Sequence, residues 1–138
     1  PVFDKLDAEL AKAMLSIGAV KGIEFGSGFE SANMTGSEWN DVMRISETDG
    51  NPLFETNHAG GILGGISNGN DIVFRIAIKP VPSILQSQKT VNVHGNNTDI
   101  FIEGRHDVCL CPRIVPVVEA MSYLTIADMF LRNSHAQL

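Results

Sequence analysis

Residues 71–79 read Asp71-Ile72-Val73-Phe74-Arg75-Ile76-Ala77-Ile78-Lys79. Ile72, Phe74, Ile76 and Ile78 fall on one face of an extended chain, and Val73, Arg75, Ala77 and Lys79 on the other, because successive side chains of a strand point to opposite sides. This is the clearest strand in the sequence, and the rest of the chain organises around it. Upstream, Phe3, Leu6, Leu10, Ala13, Met14 and Ile17 recur at steps of three and four with Asp4, Lys5, Asp7 and Lys12 between them. That spacing predicts an amphipathic helix over Val2–Ile17, ended by Gly18. Ala19–Phe25 then reads as a short strand, with β-branched bulk at Val20 and Ile23. The stretch from Gly26 to Asn57 is rich in Gly, Ser, Asn and Asp and reads as a long, partly ordered excursion, most simply a surface loop.

Downstream, Lys89–Val93 and Asp99–Glu103 read as two strands joined by a turn through Gly95, Asn96 and Asn97, residue types that tolerate positive φ. From Arg113 to Arg132 a helical pattern carries Ile114, Val117, Met121, Leu124 and Leu131 on one stripe and Val118, Tyr123, Ala127 and Phe130 on another. A helix apolar on more than one side is expected to be sandwiched between layers or covered by another chain. Residues 133–138 read as a frayed tail. Strands and helices in this order make an α+β protein, a β-sheet packed against helices. No repeat or linker divides it, so residues 1–138 are expected to form a single unit.

The chain has 138 residues, 43% of them hydrophobic and 19% charged, enough for one sizeable core. Its formal charge of −6, with ten scattered Lys and Arg, argues against nucleic acid, which demands a basic stripe. A small anion needs only two or three converging cations, and these can coexist with a negative total. Uninterrupted apolar runs fall well short of the roughly 20 residues of a membrane span, and no signal peptide is visible. The expectation is a cytoplasmic protein that engages neither membrane nor nucleic acid. His106, Cys109 and Cys111 could be imagined as metal ligands, but no fourth ligand stands at a recognisable spacing, so no metal is expected.

Three segments could carry chemistry. Residues 57–69 hold five glycines in thirteen positions, backbone that a ligand can approach closely, though the spacing is neither a P-loop nor a dinucleotide fingerprint. Taken alone, a tight hairpin or a strand crossing beside another backbone is the favoured explanation of the run. Lys79-Pro80-Val81-Pro82-Ser83 combines a rigid backbone with a cation and a hydroxyl suited to phosphate. Gly104-Arg105-His106-Asp107 sets a cation, an imidazole and a carboxylate on consecutive residues. Arginine can grip an anion in bidentate fashion and aspartate can take a proton.

Taken in order, six strings resemble the C-terminal part of chorismate synthase. They are Phe3-Asp4-Lys5-Leu6-Asp7-Ala8, Ser16-Ile17-Gly18-Ala19-Val20-Lys21-Gly22, Asn57-His58-Ala59-Gly60-Gly61-Ile62-Leu63-Gly64-Gly65-Ile66-Ser67, Lys79-Pro80-Val81-Pro82-Ser83-Ile84, Gly104-Arg105-His106-Asp107 and Val115-Pro116-Val117-Val118-Glu119-Ala120. The chain departs from the family pattern at Val81, where threonine is common, at Val108, which replaces a proline, and at Cys111, usually aliphatic. Residues 40–53 look like a surface variation.

The resemblance implies part of the family's β-α-β sandwich fold and an anti-1,4 elimination of phosphate from 5-enolpyruvylshikimate-3-phosphate that yields chorismate, the last common step of the shikimate pathway. Reduced FMN is required; NADP is associated with the family, and whether the whole enzyme reduces its own flavin with NADPH is left open by the sequence. It implies flavin contacts at Gly18, Ala19, Gly64, Lys79, Pro80, Val81, Pro82, Ser83 and Arg105. Asp107 would move the proton between substrate and flavin, with His106 and His58 as lesser candidates. It also implies a homotetramer at full length. The N-terminal histidines, arginines and arginine-serine-serine stretch of the family are not found in these residues, so the chain is expected to be a fragment, inactive by itself. The alternative is a non-catalytic self-association module built on the glycine run and the C-terminal helix.

Overall fold

Leu6, Leu10 and Met14 stand four residues apart and are buried, the last two completely. They fix the position of α1 (Leu6–Leu15), whose buried stripe they form. The computed structural model describes residues 1–136. The helix starts later than its periodicity suggests because Asp4 has φ +58 and Lys5 is extended, leaving Phe3 outside it and exposed. At its other end Ser16 and Ile17 close the last turn, and the left-handed residue is Ala19 (φ +75), not Gly18.

Ala19 turns the chain into β1 (Val20–Phe25). The 3₁₀ turn Gly28–Asn33, α2 (Gly36–Trp39), β2 (Met43–Ile45) and β3 (Pro52–Phe54) follow. Next come β4 (Ile62–Leu63), β5 (Ile66–Ser67), β6 (Phe74–Ile78), β7 (Gln88–Val91), β8 (Asn97–Ile100) and α3 (Cys111–Ala136). The strands form four two-stranded antiparallel pairs: β1 with β6, β2 with β3, β4 with β5, and β7 with β8. The fold is α+β, as expected.

The β6 alternation is realised: Ile72, Phe74, Ile76 and Ile78 are half-buried while Val73, Arg75 and Ala77 are exposed. Phe74 pairs with Phe25, their ring centroids 5.8 Å apart, and Arg75 lies opposite Glu24 with a 3.0 Å ion pair. A bulge between Val20 and Gly22 shifts the register at the end of the ladder nearest Lys79. The β7–β8 hairpin also forms, but its strands are shorter than expected. Val93 lies in the loop and Asn97 already belongs to β8.

The stretch between Gly26 and Asn57, expected as a surface loop, is more than that. It contains a capping box in which Thr35 and Glu38 bond reciprocally, and the β2–β3 hairpin. It also delivers Asp41 to the glycine run. One Asp41 oxygen accepts from the Thr56 hydroxyl at 2.6 Å and the His58 N–H at 2.7 Å, and the other from the Ala59 N–H at 2.9 Å. Asn57 completes the turn, accepting from the Gly61 N–H and donating to the Asp71 carbonyl. The run then crosses the end of β1 so closely that a Cβ on Gly26 would fall on the His58 carbonyl, and one on Gly60 would meet the Gly26 amide. Both glycines also have positive φ.

Helix α3 is longer at both ends than its periodicity indicates. The Leu110 carbonyl accepts from the N–H groups of Arg113 and Ile114, so the helix begins at Cys111. It continues through the expected tail to Ala136, and only 137–138 lie outside the described residues. It packs on α1 by one stripe in which Ile114 is buried and Val118, Met121, Thr125 and Met129 are partly so. Within this chain, therefore, α3 is covered on one side. Tyr123 is 73% and Phe130 71% exposed, against the expectation of cover on two sides. With mean hydropathy 1.6 over an 18-residue window, α3 is also long and apolar enough to cross a membrane by those measures alone, which short apolar runs in the sequence conceal. Such measures are equally met by helices that pack against protein.

Burial would raise the pKa of Asp41, but the bonds from Thr56, Ala59 and His58, with the charge of His58, outweigh it and hold the carboxyl below its ordinary value. A depressed folded-state pKa contributes stability that is present above the unfolded value and is lost as pH falls through the folded one. Asp41→Ala should therefore destabilise the fold by about 1–3 kcal/mol at pH 7. Urea unfolding should show the difference from the parent beginning to shrink as pH falls below the unfolded carboxylate's value of about 4, and closing once pH passes the lower folded value and the parent carboxylate is itself protonated.

Candidate anion-binding site

β6 ends at Ile78, and the Lys79 N–H donates to the Ala19 carbonyl at 2.9 Å, so the turn after α1 and the exit of β6 are one structural unit. Pro80 and Pro82 then fix the backbone and remove two donors, and Gln88 ties the segment down by donating to the Pro82 carbonyl at 2.9 Å. The second wall comes from residues 104–107. Gly104, at φ +134, turns the chain into Arg105, which is exposed, and His106 and Asp107, which are half-buried.

Lys79, Val81 and Pro82 face Arg105, His106, Asp107 and Arg113 across a concavity of about 500 Å³. Arg113 stands in the first turn of α3, and its Nη1 donates to Asp107 Oδ2 at 2.9 Å. Three cations and one carboxylate thus converge in a chain whose total charge is −6. The α3 N-terminus, with no acidic residue in its first turn, adds to the positive side. His106 Nε2 is buried without a hydrogen-bond partner. Such a concavity can hold an anion with backbone, cations and an imidazole, and it keeps one carboxylate within reach for proton transfer.

The other residues singled out in the sequence lie elsewhere. Gly18 and Ala19 adjoin the site through the Ala19–Lys79 bond. Ala19 holds a left-handed conformation that a side chain disfavours, and strain of this kind clusters at functional positions. Ser83 is half-buried and is not on the concavity's wall. Gly64 and Gly65 form the two-residue turn between β4 and β5, both with positive φ, and Gly65 accepts from the Leu6 N–H, so this hairpin rests against the start of α1. A Cβ on Gly64 would meet nothing within 4 Å, leaving its backbone open to approach.

His58 also lies off the concavity. Its Nδ1 is 2.9 Å from the Ser27 hydroxyl. Asp41 bonds the backbone of His58 and not its ring, so Ser27, His58 and Asp41 tie strands together and do not form a nucleophilic relay. Cys109 and Cys111 are free and exposed, and the Cys111 thiol is pushed up by its hydrogen bond to Cys109. Among the described residues no group of three or more His, Cys, Asp and Glu is placed to hold a metal. A larger concavity of about 630 Å³ lies between Phe3, Leu6, Ile66, Ile126 and Phe130. It is mainly apolar, and its one arginine, Arg132, is already paired with Asp4 and Asp128.

Sequence reading misses Arg113 and Asp41. Arg113 has a visible signal, a cation at the end of a helix where the backbone dipole disfavours one. Asp41 has none, since its partners, the Thr56 hydroxyl and the His58 and Ala59 amides, lie far along the chain.

Known proteins match both the sequence and the fold. Chorismate synthase from Lachnoclostridium phytofermentans is 56% identical over 138 residues, all of this chain and 37% of the relative. The enzyme of that name from Methanocaldococcus jannaschii is 56% identical over 134 residues, 96% of this chain and 35% of the relative. A crystal structure of chorismate synthase superposes with a TM-score of 0.53 at 46% identity, covering 57% of this chain and 23% of the solved one. The chain therefore spans well under half the length of the relatives it matches. The family model for chorismate synthase aligns with residues 1–131, and on that match the chain belongs to the chorismate synthase family.

Proposed function

We propose that this chain forms the C-terminal part of a chorismate synthase, a lyase that eliminates phosphate from 5-enolpyruvylshikimate-3-phosphate with reduced FMN. The observation that carries the reading is the convergence of Lys79, Arg105 and Arg113 on one concavity with Asp107. A substrate with one phosphate and two carboxylates, beside a flavin phosphate, requires several cations in one place, and the concavity gathers three in a chain of net charge −6.

The residues present fit a flavin. His106, whose buried Nε2 has no hydrogen-bond partner, lines the concavity with the cations, as do Val81 and the donor-less Pro82. Gly64 offers open backbone nearer α1. Lys79, Pro80, Val81, Pro82, Ser83 and Arg105, with Gly18, Ala19 and Gly64, are the proposed holders. Reduced FMN, when bound, lends electron density transiently to a reaction with no net oxidation. In that reaction the bond from C3 to the phosphate oxygen breaks and the C6 hydrogen leaves. Lys79 and Arg105 offset the anionic charge, and Asp107 holds or moves the C6 proton, with His106 beside it. The location proposed is the cytoplasm.

The exposed Tyr123 and Phe130 stripe of α3 favours one further element, cover of this helix within a homo-oligomer of the whole enzyme. Self-association and catalysis are then properties of one protein.

The test is anaerobic assay of the protein at the length of its relatives, with reductant, beside this chain alone. Lys79→Ala and Arg105→Ala should each weaken reduced-FMN binding about 10- to 100-fold, the scale of one lost charge-assisted contact. Asp107→Ala should leave binding largely intact and lower chorismate formation by at least about 100-fold. The 138-residue chain should neither turn over substrate nor bind flavin tightly, because an incomplete set of cations leaves the anion's desolvation cost largely uncompensated. Full activity from the short chain would overturn its reading as part of a site, and an unimpaired Asp107→Ala enzyme would remove Asp107 from the mechanism.

A further inference from the structure

Asp107 has one side-chain partner among the described residues: Arg113, whose Nη1 donates to Oδ2 at 2.9 Å. Stability does not explain that arginine. Its side chain is 68% exposed and that of Asp107 33%, and ion pairs this open to water contribute little to folding. It also stands in the first turn of α3, at the positive end of the helix dipole, where a cation is disfavoured. Its backbone is nevertheless firmly placed, the Arg113 N–H donating to the Leu110 carbonyl at 3.0 Å. The helix start thus anchors a guanidinium that reaches back six residues to the carboxylate, while Gly104 and the exposed Val108 leave the Asp107 segment little packing of its own.

We propose that Arg113 is the positioning residue of this site. It holds the Asp107 carboxylate at the concavity in the orientation required for proton transfer, its guanidinium engaged with that carboxylate. The inference rests on the role assigned to Asp107 above. Arg113 itself neither accepts nor donates the transferred proton. It fixes one oxygen, Oδ2, and leaves Oδ1 free for the proton, a division that a mobile carboxylate on an exposed loop would not keep.

The experiment uses the protein at the length of its relatives, with reduced FMN and 5-enolpyruvylshikimate-3-phosphate. Arg113→Met keeps the length of the side chain and removes its donors, Arg113→Lys keeps a single charged donor, and each is combined with Asp107→Ala. Arg113→Met should lower kcat about 10- to 100-fold, the effect of a misplaced reacting group, with KM altered less than about threefold. Arg113→Lys should recover most of that loss, since one hydrogen bond is all the pair uses. In the Asp107→Ala background, Arg113→Met should lower kcat no further, the non-additivity expected of residues that act as a unit. Thermal melting should show the fold intact in Arg113→Met, since the side chain it replaces is exposed. Wild-type kcat in Arg113→Met beside an impaired Asp107→Ala enzyme overturns this proposal alone. So does an additive double variant, or a loss in Arg113→Met confined to KM. An unimpaired Asp107→Ala enzyme removes the mechanism above and this proposal with it.

Discussion

The antiparallel ladder between β1 and β6 is the constraint on which the other placements depend. Its register sets Phe25 against Phe74 at one end and Val20 against Ile78 at the other, with a bulge next to Val20. At the Val20 end the ladder runs directly into the Ala19–Lys79 hydrogen bond, which fixes the first wall of the concavity. At the Phe25 end the Gly26 N–H donates to the Val73 carbonyl and Gly26 leaves no room for a side chain, so the glycine run can cross. A slip of one residue would turn the half-buried Ile76 and Ile78 to solvent and detach Lys79 from Ala19 at the same time. Stability and site geometry are thus specified by the same pairing.

The glycine run serves this crossing before it serves any ligand. Gly26 and Gly60 approach too closely for Cβ atoms, and Asp41 and Asn57 clamp the backbone between them with side-chain hydrogen bonds. Only Gly64, in the β4–β5 turn, has open space at the Cβ position among those of the run that precede Ser67. A glycine-rich segment therefore divides its work. Most positions satisfy sterics within the fold, and one is left where backbone can be approached from outside.

How far the sequence discloses this depends on whether the deciding partner is near in sequence. The alternation of residues 72–78 and the spacing of Leu6, Leu10 and Met14 are local, and both elements form within the expected stretches, each shorter than expected. The extent of α3 is less legible, because its start is set by the Leu110 carbonyl and not by a recognised capping residue, and its apolar residues encircle the helix. The β2–β3 hairpin is invisible in a stretch whose composition suggests a loop, since three-residue strands give too little periodicity to detect. Within the site, Lys79, Arg105 and Asp107 stand out as motif residues. Arg113 does not, because its significance lies in a contact that exists only once the chain turns at Leu110.

The distribution of apolar surface completes the argument about what kind of object this chain is. Among the described residues the buried hydrophobic side chains are few, Leu6, Leu10, Met14, Val20, Ala59, Ile62 and Ile114, and they cluster where α1 meets β1, the glycine run and α3. Val115, Tyr123, Leu124, Phe130 and Leu131 lie exposed along α3, and Val2 and Phe3 beside its far end. Contiguous apolar surface on this scale is a mark of association. Burial of one such side chain contributes about 1.5–3 kcal/mol, so covering the stripe would outweigh the small ion pairs at the surface. In the proposed enzyme the position of α3 would then be set from both sides, by α1 within this chain and by the cover over Tyr123 and Phe130. Because Arg113 leaves the first turn of that same helix, whatever covers the stripe also fixes the guanidinium that holds Asp107, and assembly becomes part of how the site is organised.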